Sequence, residues 1–595
     1  MTRIDITPEA PVARAAPSAN KAWLRALDRT ARLDQAPRRL LADVVEDWAQ
    51  TQPNAPALLD DAEILTYAAL AARVRAYARW ARAAGLAKGD VVALLAPNTA
   101  DYMAIWLGLT RIGAVVALIN TNLRGAALAH CLAVAQPRGV IVAEGLASPL
   151  AEALADRPDA PPIWRQAALR AGLAGLSAAP FSDDLTADVT LADPALLIYT
   201  SGTTGLPKAA RVSHHRVMSW SGWFAGLMDA TPDDRLYDCL PMYHSVGGVV
   251  ATGALLVAGG SVVLRERFSA SRFWEEVAQW NCTLFQYIGE LCRYLLAAPA
   301  SDVERGHRLR LACGNGLSGD IWTAFKDRFA LPQILEFYAA TEGNFSLYNV
   351  EGEPGAIGRI PGFISHRFPA ALVAFDPATG APLRGADGLC VRSARGEPGE
   401  AIGRINAGGD PAHRFEGYTS AAESEKKILR GVFEPGDAWL RTGDLMRQDA
   451  RGFFYFVDRV GDTFRWKGEN VATTEVAQAL CEAPGVREAC VFGVEIPGCD
   501  GKAGMAALVV GEDFDLTALS AHLAARLPAY ARPVILRLTA DLAMTETFKQ
   551  KKADLAREGY DPSRVSDPLF LALPEGYRAL DRALFEALVT GALRV

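Results

Sequence analysis

Basic charge is not in excess in this chain. Sixty-one Lys+Arg stand against 68 Asp+Glu, a formal net charge of −7, so the broad cationic footprint of a nucleic-acid binder is missing and any polyanion has to be held by local groups. Cysteine pairing is absent too. The 9 cysteines are odd in number and form no CxxC, which excludes a disulfide framework and a thiolate zinc site and favours a reducing, cytoplasmic setting. The opening MTRIDITPEAPVARAAPSAN has no apolar h-region, so no secretory signal is expected. Internal repeats and long low-complexity tracts are also lacking. With 50% hydrophobic and 22% charged residues over 595 positions, neither a disordered nor a fibrous protein fits, and core size is not limiting.

One uncharged run, VGGVVATGALLVAGGSVVL at 246–264, is 19 residues long and has to be weighed as a membrane span. Its glycines, above all the Gly259-Gly260 break, predict instead a buried helix followed by a buried strand. From residue 40 onward amphipathic helices alternate with short apolar runs: helical spacing over 67–84, then strands at 91–95, 114–119 and 139–142. That alternation is the signature of parallel sheets covered on both faces. Residues 352–443 turn rich in Gly and Pro, with short runs at 371–375 and 388–391, as in a smaller β-rich subdomain. Beyond the DRVGD segment at 458–462, strands at 489–494, 506–510 and 534–538 and a helix at 516–527 predict a compact α+β unit. Residues 1–35 show no clear periodicity and are expected to be a partly ordered lead-in without chemistry.

The sharpest chemical signal is LIYTSGTTGLPK at 197–208. An apolar run enters a Thr/Ser/Gly loop closed by a lysine, which offers hydroxyls, backbone N–H groups and one cation to a polyphosphate. A Walker A loop is rejected, because Pro207 replaces its second glycine and Ala209 the Ser/Thr that would hold magnesium.

At this point the chain resembles the adenylate-forming superfamily of acyl-CoA synthetases, whose signature loop reads like YTSGTTGLPK, and further motifs follow in order. The resemblance implies nucleotide contacts from Tyr199, Thr200, Ser201, Gly202, Thr203, Thr204, Gly205 and Lys208. YAATEGN at 338–344 looks like the second nucleotide motif, implying Tyr338 and Thr341 at the nucleotide and Glu342, with Thr200, at a magnesium ion. CGNGL at 313–317 resembles the segment lining the adenine pocket, implying Gly314, Asn315 and Gly316. RTGD at 441–444 implies that Asp444 accepts both ribose hydroxyls, and the run from Asp458 to Asn470 resembles the hinge, with Arg459 at ribose or phosphate and Gly461 at the pivot. Lys467 and Gly468 are the candidates for the thioester-forming state. In MTETFKQKK at 544–552, Lys549 is the candidate catalytic lysine, with Lys551 and Lys552 as competing assignments.

Three segments are similar to the fatty-acid transport protein, or very-long-chain acyl-CoA synthetase, branch: ALINTNLR at 117–124 with His130-Cys131-Leu132, FRWKGENV at 464–471, and TFK at 547–549 continuing to DPL at 567–569. PMYHSVGG at 241–248 resembles the segment beside the acyl pocket, implying Tyr243, His244, Gly247 and Gly248 at the substrate, with His244 also where acyl-AMP meets the thiol. The implied fold is α/β: a large N-terminal adenylation domain (36–459) of two α/β subdomains plus a small β-rich one, and a small mobile α+β C-terminal domain (460–595). The implied activity is an ATP-dependent long-chain-fatty-acid–CoA ligase using Mg2+ and CoA, acting through acyl-AMP, in the cytoplasm with peripheral membrane contact open. A bile- or sterol-acid CoA ligase, an acyl-AMP ligase serving a carrier protein and a membrane-associated uptake protein are the alternatives. Chain length and oligomeric state stay open.

Overall fold

Runs of four to seven apolar residues between helices have nowhere to go but a sheet buried on both faces, and the chain builds two of them. In the computed structural model, residues 18–155, 157–180, 188–200, 207–376, 379–405, 414–467, 469–497, 499, 501–543 and 552–594 are described. The chain falls into two units, 1–368 with 404–428 and 369–403 with 429–595.

In the first unit, one sheet runs in the order Ile163–Arg165, Gly139–Val142, Val91–Leu95, Val115–Leu118, Pro194–Thr200, Lys208–Ser213. It is parallel except for its last pair, which is antiparallel. The period of two shows in the packing. Val92 and Leu94 enter one apolar cluster while Ala93 and Leu95 enter another on the opposite face, as a doubly covered strand requires. The second sheet carries Ser346–Asn349, Ile334–Ala339, Leu311–Asn315, Leu284–Ile288, Arg235–Asp238, Ser261–Leu264, Pro56–Leu59 and Ile64–Thr66, antiparallel only at its two ends. The uncharged run at 246–264 folds as expected: a π-helical stretch over Val246–Gly253, a helix over Ala254–Ala258, a left-handed Gly259 at φ 80°, and the buried strand Ser261–Leu264. Among the described residues no helix is long and apolar enough to cross a membrane.

The second unit holds a small antiparallel sheet, Phe453–Arg459 beside Ala438–Gln448 and Gly399–Arg404 beside Ala370–Val373. It also holds a five-stranded sheet in the order Val486–Val494, Ala503–Val510, Ile535–Leu538, Leu569–Leu573, Gly576–Ala579, with helices Thr473–Cys481 and Leu516–Arg526 packed into its core.

Two expectations need correction. Residues 388–391 form no continuous strand: past the tight turn in which Gly388 donates to the Gly385 carbonyl (3.0 Å), the segment pairs through isolated bridges, Cys390 with Arg384 and Arg392 with Val373. Within the supposed lead-in, Ala19–Thr30 is a helix whose Ala22, Trp23 and Ala26 are buried. Arg and Lys between those positions hid an i, i+3, i+4 apolar stripe. The stripe docks on helix His214–Leu227, where an added Cβ at Gly226 would lie 2.4 Å from the Ala26 Cα, and Trp23 meets Trp223 and Tyr348 edge-on at 5.9 and 5.6 Å. Gly226→Ala is therefore predicted to cost about 1–3 kcal/mol by overpacking, read as a lower urea midpoint together with faster proteolysis within 18–35. An unchanged midpoint and cleavage rate would contradict this docking.

Candidate active site

The antiparallel pair Pro194–Thr200 and Lys208–Ser213 flanks the Ser/Thr/Gly loop and sets Thr200 opposite Lys208. Ser201, Gly202, Thr203, Thr204 and Gly205 lie outside the described residues, as do Gly468 and Lys549. Tyr199 faces the other way from Thr200: its ring is buried and its hydroxyl donates to the Cys131 carbonyl at 2.7 Å. It anchors the strand in the core.

Along the free side of Lys208–Ser213, the segment 416–419 adds as an extra edge, with Arg211 N–H donating to Gly417 O (3.0 Å) and Thr419 N–H to Ala209 O (2.9 Å). That pairing delivers Tyr418. Its hydroxyl donates to Glu342 Oε1 at 2.7 Å, and the Thr200 hydroxyl bonds the phenol oxygen. Burial, and then the Glu342 carboxylate, push the Tyr418 phenol well above its ordinary range, so it stays protonated and donates. Lys427 Nζ stands 3.7 Å from Glu342 Oε1. Lys208 is paired with Glu423, whose other oxygen takes Lys426 at 2.6 Å, and its ammonium lies 5.8 Å from the Tyr418 ring centre. Thr200, Lys208, Thr341 and Glu342 thus come together around Tyr418. One carboxylate and one hydroxyl suit a hard cation whose other ligands come from phosphate and water, since magnesium seldom relies on an all-protein cage. Among the described residues no group of three or more His, Cys, Asp or Glu could hold a metal unaided.

Behind Thr341 sits a buried guanidinium. Arg216, on the first turn of the helix that Ser213 caps, donates to Thr341 O at 2.9 Å and to Arg414 O at 2.8 Å, with Glu416 Oε1 at 3.7 Å. Glu416 in turn accepts from Ser213 N–H at 2.7 Å and Ser213 Oγ at 2.6 Å.

The Gly314–Gly316 segment ends the buried strand Leu311–Asn315. Glycine is required there by close approach: a Cβ on Gly314 would lie 2.2 Å from the Tyr287 carbonyl, and Gly316 has φ +82°. Beneath it, Glu336 accepts from Gly316 N–H, from Leu317 N–H at 3.2 Å and from the Tyr287 hydroxyl. Tyr338 packs edge-on against Phe345 at 5.6 Å.

Tyr243 and His244 have ring centres 4.7 Å apart, and Thr341 Oγ1 meets Ser245 Oγ at 3.2 Å, so this segment abuts the nucleotide motif. Gly247 and Gly248 are explained by packing. A Cβ on Gly247 would lie 2.7 Å from the carbonyls of Leu240 and Pro241, and one on Gly248 2.4 Å from Met242 O. Their small size admits backbone at those positions.

In the second unit, Asp444 and Arg459 are cross-strand partners, with Arg459 Nε 3.7 Å from Asp444 Oδ1. The buried Glu400 takes three bonds from Arg441, the shortest 2.6 Å, and one from Gly443 N–H, fixing the stretch of strand Ala438–Gln448 that carries Asp444. Gly461 has φ +98° with nothing within 4 Å of an added Cβ, a conformation suited to a pivot. Lys467, at φ 51°, holds its ammonium 5.6 Å from the Trp466 ring. Lys552 is committed elsewhere: its ammonium donates to Thr473 Oγ1 (2.6 Å) and Asp462 (3.1 Å), beside the buried Asp458 that caps Thr473.

With this geometry in view, the comparisons agree. The AMP-binding enzyme family model matches residues 45–401 and the AMP-binding enzyme C-terminal domain model 475–549. ATP-bound MatB of Rhodopseudomonas palustris superposes with a TM-score of 0.73 at 24% identity over 87% of this chain and 98% of that one. The fatty acyl CoA synthetase of Mycobacterium tuberculosis superposes at 0.61 and 22% identity over 87% and 98%. Long-chain fatty acid transport protein 1 of Mus musculus is 41% identical over 91% of this chain and 86% of its own, and long-chain fatty acid transport protein 3 of Homo sapiens 42% identical over 86% and 76%. The chain belongs to the AMP-binding enzyme family, in its long-chain fatty acid transport protein branch.

Sequence reasoning missed Tyr418, Glu416, Arg216, Glu336 and Glu400, all of them supports reached only through tertiary pairing. Of these, Glu336 yields a pH signature. Burial outweighs its hydrogen bonds and pushes its carboxyl up to about 8. A raised carboxyl gives its stability in full below the ordinary carboxylate range and loses it as pH climbs through about 8. Wild type should therefore lose Tm relative to Glu336→Gln between about pH 5 and 8.5; a Tm difference constant across that window would contradict the assignment.

Proposed function

We propose that the protein is an ATP-dependent ligase joining long-chain or very-long-chain fatty acids to CoA, by adenylation of the acid with release of pyrophosphate and then thioester formation with loss of AMP. The observation that carries this reading is the meeting of Thr200, Lys208, Thr341 and Glu342 around Tyr418 in a chain of this family. The relatives' name, long-chain fatty acid transport protein, supplies the substrate class.

A fatty carboxylate and a triphosphate repel each other, so the first half needs cations where the charge develops. Glu342 and Thr200 would hold a magnesium ion, which would supply part of that neutralisation. The chain supplies the rest. Lys208 leaves Glu423 for the phosphates, Tyr418 keeps the Glu342 carboxylate aimed, and Lys549 stands between the attacking carboxylate and the α-phosphorus. Asp444 accepts from the ribose hydroxyls, with Arg459 beside it, and the adenine lies against Gly314, Asn315 and Gly316. In the second half Lys549 withdraws, because the lysine guarding the phosphate occupies the thiol's approach. Lys467 and Gly468 then serve CoA, with His244 near the acyl carbonyl, and Gly461 absorbs the backbone change of a C-terminal domain taken as 460–595.

Lys549→Ala should slow pyrophosphate release by at least about 10²-fold while sparing thioester formation from supplied acyl-AMP. Rapid-quench measurement of each half separates the outcomes, and an equal fall in both would remove Lys549 from this role.

A further inference from the structure

The contacts around Arg216 close on themselves. Ser213 Oγ caps the helix by accepting from Arg216 N–H at 3.2 Å. Arg216 holds the Thr341 carbonyl, Thr341 precedes Glu342, and Glu342 accepts from Tyr418. Tyr418 follows Glu416 by two residues, and Glu416 returns to Ser213 and faces Arg216. The guanidinium side chain is 6% exposed and bridges two segments far apart in sequence, donating to Thr341 O on one and Arg414 O on the other. Three directions are thereby fixed at once, because a planar fork with five N–H donors serves carbonyls and a carboxylate in a set geometry that an ammonium cannot copy.

We propose that Arg216, paired with Glu416, is a positioning residue for adenylation: through the Thr341 carbonyl and the 414–418 segment it sets the aim of Glu342, and so tunes the affinity for the metal–nucleotide without touching it. This rests on the ligase reading above. Its own hydrogen bonds go to the main-chain carbonyls of Thr341 and Arg414. Its charge faces the Glu416 carboxylate at 3.7 Å.

The test uses the full chain with Arg216→Lys and Glu416→Gln, conservative changes chosen because Arg216→Ala would take the countercharge from Glu416 and leave a void in the buried site, risking misfolding. Pyrophosphate release is followed against Mg2+ and against ATP with a saturating long-chain acid, beside the thermal midpoint and the CoA-dependent step from supplied acyl-AMP. The expected result is a half-saturating Mg2+ and a KM for ATP raised about tenfold in each variant, the scale of one lost charge-assisted bond. The step from acyl-AMP should change less than about threefold, and the double variant should be no worse than about twice either single one, since both break the same circuit. Equal losses in both half-reactions with unmoved Mg2+ and ATP dependence would reduce Arg216 to a folding role and overturn the proposal. Wild type that releases no pyrophosphate with any acid would instead overturn the ligase reading, so the two failures are distinct.

Discussion

A single buried hydrogen bond, Tyr418 to Glu342, ties together the parts of the first unit that matter. Charge in a low-dielectric site is useful only if it is held, and holding it costs desolvation that neighbouring dipoles must offset. The chain solves this with main-chain pairing. Segment 416–419 is stitched to the Lys208–Ser213 edge, so the position of Tyr418 is fixed by backbone register and not by a flexible side chain. From there the constraint spreads back through Glu416 to Ser213 and Arg216, and forward to Thr200 at the mouth of the Ser/Thr/Gly loop.

The same economy recurs at the other binding elements. Glu336 lies under the Gly314–Gly316 segment and takes the N–H groups of Gly316 and Leu317, while Glu400 takes the N–H of Gly443 within strand Ala438–Gln448 and is clamped by Arg441. Each is a buried glutamate whose side chain takes main-chain N–H groups of a glycine-containing segment. Loops that must present backbone to a flat base or a phosphate cannot pack side chains on that face, so their rigidity has to come from below.

Much of this was legible in the sequence. Val91–Leu95 and Gly139–Val142 fall where their apolar runs end, because in a doubly covered parallel sheet burial and strand boundaries coincide. The 246–264 run was readable as a buried helix and strand from its glycines and the Gly259-Gly260 break, where Gly259 takes the left-handed turn at φ 80°. Thr200, Lys208, Thr341 and Glu342 were legible because a loop motif is local. What escaped was non-local. Nothing within a short window says that Tyr418 will bond a carboxylate 76 residues away, or that Arg216 will reach Thr341 across 125. Helix Ala19–Thr30 escaped for a related reason: its partners are glycines on helix His214–Leu227, and the surrounding arginines masked a narrow alanine stripe. Gly247 and Gly248 answer to packing as well, since an added Cβ at either would meet the backbone of residues 240–242.

The central claim is that these groups activate a fatty acid as its adenylate and pass it to CoA. Pyrophosphate release by the purified chain, followed over saturated acids from C8 to C24 and a bile acid with and without CoA, tests it most directly. Steady turnover that rises with chain length and requires CoA is the predicted result. One burst of pyrophosphate unaffected by CoA, or silence with every acid, would contradict it.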